Sequence, residues 1–255
     1  MIKKVKKSGG SLISWTDETW NPWHGCHKLS DACKFCYMFR DKMKYGQDAR
    51  LVLKSKSKFY FPNKLKEPAM VFTCSWSDFF IAEADAWRDE AWEIIRNTPH
   101  LTYQILTKRP ERILDNLPDD WGSGYDNVWL GVSVENNATR HRITTLSEVP
   151  AVVRFISFEP LLEFVQLADY MSYLTEFYHW AILGGESGND TGLYRYGPCE
   201  LEWLEYLVDV CKIAQMAVFV KQLGTYLHNE LELRDRHARN LEEFPDSLKI
   251  REFPK

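Results

Sequence analysis

The segment Asn21-Pro-Trp-His-Gly-Cys26-His-Lys-Leu-Ser-Asp-Ala-Cys33-Lys-Phe-Cys36-Tyr37 holds three of the chain's six cysteines within eleven residues. The other three, Cys74, Cys199 and Cys211, are scattered and read as small core hydrophobes. Crowding of this kind indicates metal binding rather than disulfides. The spacing is Cys-x6-Cys-x2-Cys with an aromatic residue directly after it. Three thiolates can hold three irons of a four-iron cluster and leave the fourth iron open to a small molecule. Structural zinc is the alternative, with His24 or His27 as a fourth ligand beside the three cysteines. Against zinc, no second Cys/His pair follows downstream, and both histidines crowd Cys26.

Outward from this segment, short β-rich apolar runs alternate with stretches of helical period, the pattern of βαβ units around a parallel sheet. The expected strands are Ser11–Trp15, Ala69–Cys74, Leu101–Leu106, Asn127–Val134, Val152–Ser157, Trp180–Gly184 and Ala217–Lys221. Ala84–Asn97 places Trp87, Ala91, Ile94 and Ile95 on one helical stripe, and Pro198 opens a second helix with Leu201, Leu204, Leu207, Val208 and Cys211 on one face. Asp31–Tyr45 is a weaker helix. Seven strands fit a partial or full βα-barrel. The doubly wound rival lacks its Gly-x-Gly-x-x-Gly after the first strand.

The chain has 255 residues, 45% of them hydrophobic, and a single α/β barrel runs to about 250 residues. We therefore expect one domain over residues 1–255, with 231–255 as a charged C-terminal extension. A net charge of −4 excludes a polycation that coats nucleic acid. No apolar run is long enough to span a membrane. Met1-Ile-Lys-Lys-Val-Lys-Lys-Ser-Gly-Gly is basic without an apolar segment behind it, so it reads as no secretory signal, and the expected location is cytoplasmic.

Nearly every expected strand finishes in charged or amide residues. Ser75, Ser77 and Asp78 follow the second, Lys108 and Arg109 the third, and Glu135 and Asn136 the fourth. Glu159 follows the fifth, Glu186 the sixth, and Lys221 with Gln222 the seventh. Barrel geometry gathers such positions at one mouth, where active sites are built. Both signs of charge there suit a polar substrate carrying a carboxylate or phosphate. Separately, Arg40–Lys66 carries nine Lys/Arg against two Asp, with Tyr45, Phe59, Tyr60 and Phe61 interleaved. That composition marks either a solvated helix and loop or a grip on nucleic acid.

Cys-x-x-Cys-aromatic after a first strand resembles the radical S-adenosylmethionine (SAM) motif, whose usual first gap is three residues where this chain has six. Nearly the whole chain resembles a phage and prophage family of unknown function, known for a three-cysteine motif and regarded as radical-SAM-like. The matching pieces run in order: Trp20–Cys26, Cys33-x-x-Cys36-Tyr37, Ser75-Trp-Ser-Asp78-Phe-Phe, Leu106-Thr-Lys-Arg-Pro110, Trp129–Asn136, Phe158-Glu-Pro-Leu-Leu162, Gly184-Gly-Glu-Ser-Gly188 and Val220-Lys-Gln-Leu-Gly224. The resemblance implies a 4Fe-4S cluster on Cys26, Cys33 and Cys36, with SAM at its open iron. It also implies reductive SAM cleavage that starts radical chemistry on a small-molecule or nucleotide substrate, and an electron donor as partner. By position, Ser75, Ser77 and Asp78 are candidates for the SAM amino group, and Glu135 and Asn136 for its ribose. Lys108, Arg109, Glu159, Glu186 and Lys221 are the candidate catalytic residues. The rivals are a zinc-stabilised, non-catalytic binding protein and a SAM-independent iron–sulfur protein acting on nucleic acid.

Overall fold

The computed structural model describes residues 11–255, so the basic N-terminal stretch Met1–Gly10 lies outside the described residues. Seven parallel strands form one curled sheet: β1 (Glu18–Trp20), β4 (Ala69–Thr73), β5 (Leu101–Thr107), β6 (Val128–Ser133), β7 (Val153–Leu161), β8 (Trp180–Gly185) and β9 (Ala217–Gln222). Their order in the sheet follows the chain, and β1 and β9 are its edges, so the barrel is a half-barrel, the partial form of the two expected. A separate two-stranded antiparallel sheet pairs β2 (Trp23–His24) with β3 (Leu53–Lys54).

Helices fill the crossovers. They are α1 (Tyr37–Lys44), α2 (Asp85–Arg96), α3 (His141–Ser147), α4 (Met171–Phe177), α5 (Leu201–Ile213) and α6 (Gly224–Glu230). The expected Asp31–Tyr45 helix is broken into a 3-10 turn, Asp31–Cys33, and α1, because the chain must present Cys36 between them. Pro198 lies ahead of α5 and not in its first turn.

Strand alternation divides the core in two. Val71, Tyr103, Ile105, Val128, Leu130, Val132, Ala181, Leu183, Val218 and Val220 face the helices in the larger core. Phe72, Phe155, Trp180, Ile182 and Phe219 point the other way, into the curl of the sheet. Gly131 makes room there, since a Cβ would lie 2.3 Å from the Phe155 ring.

The expected first strand, Ser11–Trp15, forms no strand. Trp15 is instead buried inside the curl, with ring centroids 4.6 Å from Phe72 and 6.0 Å from Trp180, and Gln104 donates a 3.2 Å hydrogen bond to its carbonyl. The strand begins three residues later, where Glu18, Thr19 and Trp20 pair with Val71, Phe72 and Thr73. An apolar run and a buried run look alike in sequence; only pairing separates them. At the opposite edge the tail lies along β9. Val220 N–H donates to Ile250 O at 2.9 Å, Glu252 N–H to Val218 O at 2.8 Å, and Phe253 packs on Trp180 and Phe219. None of the described helices is long and apolar enough to cross a membrane.

If Trp15 plugs the curl, Trp15→Ala should cost about 3–5 kcal/mol of unfolding free energy in urea titrations, the range for a truncated core aromatic. A loss below about 1 kcal/mol would mean that the segment is only draped on the surface.

Candidate metal centre at the mouth of the sheet

The first crossover leaves β1 at Trp20 and carries the three cysteines over the carboxyl-terminal ends of the strands. Gly25 N–H donates to Trp76 O at 3.0 Å, Cys26 N–H to Ala49 O at 2.9 Å, and Ser77 Oγ to Gly25 O at 2.6 Å. Gly25 has φ +101°, and a Cβ there would lie 2.2 Å from Leu51 O, so the loop can pass only with glycine at this point. Asn21 Nδ2 donates to Ser75 Oγ at 3.0 Å, and the Tyr37 hydroxyl to Ser75 O at 2.5 Å. Cys33 ends the 3-10 turn, and Cys36 precedes the first turn of α1.

The strand-end residues meet this loop directly. Asp78, almost fully buried, accepts from Phe80 N–H (2.9 Å), Thr107 Oγ1 (2.7 Å), Lys108 N–H (3.0 Å) and Arg109 Nη1 (3.0 Å). Arg109 then donates to His27 O at 3.3 Å, one residue after Cys26. Glu135, 0% exposed, is ion-paired with Lys108 and Arg142, and accepts from Ser30 Oγ at 3.1 Å. Ser30 Oγ lies 3.9 Å from Cys33 Sγ. Asn136 caps the turn Asn137–Thr139 and reaches Asp31 Oδ2 at 3.3 Å.

The other predicted residues form a second group. Glu159 of β7 and Lys221 of β9 are ion-paired across the intervening β8, where Gly184 has no side chain to obstruct them. A Cβ at Gly184 would lie 3.3 Å from Glu159 Cγ. Glu159 is within electrostatic reach of Tyr37. Glu186 is buried; among the described residues its carboxylate accepts one hydrogen bond, from Gly197 N–H (2.8 Å), and it feels the charge of Lys34 between Cys33 and Cys36.

Burial pushes the Cys26 thiol up to about 12, with Arg109 opposing it and Asp78, Cys33 and Cys36 adding to it. Burial also raises Cys36, against the first N–H groups of α1 and against Lys108. The three thiols are thus within one another's electrostatic field, with a cation beside two of them. Any metal bound there must displace their protons. Among the described residues no three His, Cys, Asp or Glu side chains converge as for a single ion. A four-iron cluster places its thiolates on separate irons, so it makes no such demand. Three free thiols on one loop, with Arg109 and Lys108 nearby to offset thiolate charge, fit that donor set.

Sequence reasoning missed Arg142 and Ser30. The signal was available for Arg142, an arginine on the inward stripe of α3 with Ile143 and Leu146. Ser30 had none beyond its place in the loop.

The class defined here is an α/β protein, a curled parallel half-barrel whose first crossover carries three cysteines. Two solved structures of spore photoproduct lyase share that fold. One is a double mutant with bound AdoMet and dinucleoside spore photoproduct (TM-score 0.54), and the other is complexed with dinucleoside spore photoproduct (TM-score 0.50). Each is 11% identical, over 85% of this chain and 80% of theirs. The chain belongs to the DUF5131 family, described as a protein of unknown function, whose model matches residues 10–251. No curated protein matches the sequence.

The two buried glutamates should respond oppositely to change. Burial pushes Glu135 up, but Lys108 and Arg142 outweigh it and hold the carboxyl below the usual range. Its contribution is present above the ordinary carboxylate pKa and is lost as pH falls through the folded value. Glu135→Ala should cost about 3–5 kcal/mol, since it leaves Arg142 buried and uncompensated. Glu186 is raised by burial, so ionising it within the fold is unfavourable, increasingly so as pH rises. Glu186→Gln should leave stability unchanged near pH 4 and increase it at pH 8, read by denaturation at both pH values.

Proposed function

We propose that this chain is an iron–sulfur enzyme of the radical SAM type, its four-iron cluster held by Cys26, Cys33 and Cys36. The observation that carries this reading is the three-cysteine crossover, hydrogen-bonded to the polar ends of β4, β5 and β6 at the mouth of a parallel half-barrel. When bound, the cluster and SAM supply one-electron reductive cleavage of SAM, the source of a hydrogen-abstracting radical.

The chain's own residues position and shield. Arg109 and Lys108 offset thiolate charge near Cys26 and Cys36, and Ser30 steadies Cys33 from Glu135. Ser75, Ser77 and Asn136 remain partly accessible and are assigned to SAM. Asp78 and Glu135 act on it by fixing Arg109 and Lys108. Glu159, Lys221 and Glu186 face a polar substrate, either a small molecule or a nucleotide, and an external reductase supplies the electron.

Two observations weigh against the zinc-stabilised binding protein. His24 Nδ1 is engaged by Lys42 Nζ at 2.7 Å, and His27 is ion-paired with Glu83, so both candidate fourth ligands are held elsewhere. The SAM-independent reading keeps the cluster, dispenses with SAM and acts on nucleic acid.

Anaerobic purification should give about four irons per chain. That iron should be lost in Cys26→Ala, Cys33→Ala or Cys36→Ala and kept in Cys74→Ala, Cys199→Ala and Cys211→Ala. The reduced protein should convert SAM to 5′-deoxyadenosine. Stoichiometric zinc without iron would sink the proposal, and a loaded cluster whose spectrum ignores SAM would leave only the SAM-independent protein.

A further inference from the structure

The chain is acidic overall, yet Lys28–Lys66 carries eleven Lys/Arg against three Asp and no Glu. Four of these cations are engaged internally: Arg40 with Asp41, Arg50 with Asp48, Lys54 with Glu90, and Lys42 on His24. Lys44, Lys56, Lys58 and Lys64 are exposed and make no ion pair among the described residues.

Charge alone describes any solvated face. The same stretch, however, holds seven of the fifteen large apolar side chains exposed among the described residues, Tyr45 at 67%. Lys44 Nζ lies 5.7 Å from the Tyr45 ring centroid, and Lys28 Nζ 5.2 Å from that of Phe39. Solvated faces do not concentrate apolar side chains; binding surfaces do. Exposed aromatic and apolar side chains interleaved with cations on one stretch match a strand whose bases stack and whose phosphates stay outside.

The stretch also borders the mouth. Ala49 O receives the Cys26 N–H, Leu51 O lies against Gly25, and Tyr37 bonds Ser75 at the end of β4. We propose that Lys28–Lys66 is a track for single-stranded nucleic acid that delivers a nucleotide to the mouth. The delivery rests on the radical SAM reading; the binding does not, because it needs neither cluster nor SAM. Duplexes fit less well, since their bases offer no free faces for stacking. DNA and RNA share the required chemistry.

The test uses the full chain, purified anaerobically, with a fluorescein-labelled 20-nucleotide DNA of mixed sequence, the same sequence as RNA, and the DNA duplex. Anisotropy titrations at several salt concentrations should show one or both single strands binding, more tightly than the duplex, with log K falling linearly in log salt. Lys44→Glu with Lys58→Glu should weaken binding at least ~10-fold and flatten the salt slope, by about 0.7 for each phosphate that is no longer neutralised. Tyr45→Ala should weaken it about tenfold, the effect of removing the ring on which one base stacks. Lys212→Glu with Lys249→Glu, exposed on α5 and the tail, should change nothing. No binding of either strand, preference for the duplex, or affinities within twofold of the parent in all variants overturns the track. Strand binding by a protein that holds only zinc would keep the track and discard the catalytic reading. Iron and SAM cleavage without strand binding would do the reverse.

Discussion

The carboxylate of Asp78 ties the site to the fold. It stands just after β4, and its four donors come from its own turn and from the end of β5, through Thr107, Lys108 and Arg109. Two strand ends are thereby locked together, and the guanidinium that completes the set reaches on to the carbonyl after Cys26. A buried ion pair of this kind adds little net stability over an apolar pair, because desolvation offsets the attraction. What it supplies is a fixed place for a loop with little regular structure of its own. Glu135 repeats the device one strand further on, binding Lys108 from β5, Arg142 from α3 and Ser30 from the cysteine loop.

The inner face of the sheet is graded along its length. Towards the amino-terminal ends of the strands it is filled by Trp15, Phe72, Phe155, Trp180 and Phe219, with Phe253 of the tail against them. Towards the carboxyl-terminal ends the inward positions become Ser133, Ser157, Gly184 and then the charged residues of the mouth. A half-barrel has two edges to protect and no closing strand pair to fill its interior. The segment before β1 and the tail beside β9 meet that need, Trp15 from one side and Phe253 from the other, both on Trp180. The polar mouth then sits above an apolar floor.

Six of the seven strands were legible because each is buried on both faces and reads as an apolar run bounded by turn residues, the signature of a parallel sheet. β1 was not legible: Glu18 and Thr19 are only partly buried on an edge, so only Trp20 carries the signal, while Trp15 offers a stronger false one. The short helices α3, α4 and α6, seven residues each, span too few turns to show a period. The small sheet of β2 and β3 pairs two residues with two across a separation no local pattern encodes. Within the site, residue types at strand ends were readable, but the division of labour was not. Whether an acid at a mouth holds structure or faces ligand depends on which side chains reach it from other elements.

Glu135 and Glu186 make that dependence concrete. Both follow inner-sheet strands and both are buried. Glu135 meets two cations and a hydroxyl, so the fold stabilises its charge. Among the described residues Glu186 accepts from one backbone N–H and feels the charge of Lys34 from the cysteine loop, and burial outweighs both, so the fold resists its charge. A carboxylate that the protein leaves under-satisfied is a weak contributor to stability and a strong candidate for chemistry, because a proton or a cationic ligand group relieves what the fold does not. The imbalance runs along the sheet: satisfied charges beneath the cysteines at β4 to β6, and the under-satisfied acid at β8 beside the glycine pair Gly184–Gly185. Gly185 packs its backbone directly on Leu223, where a Cβ would lie 2.3 Å from the carbonyl oxygen, which fixes the start of the Glu186 turn. The first half of the mouth thus holds a loop with satisfied charges, while the second half carries an acid whose charge the fold does not satisfy.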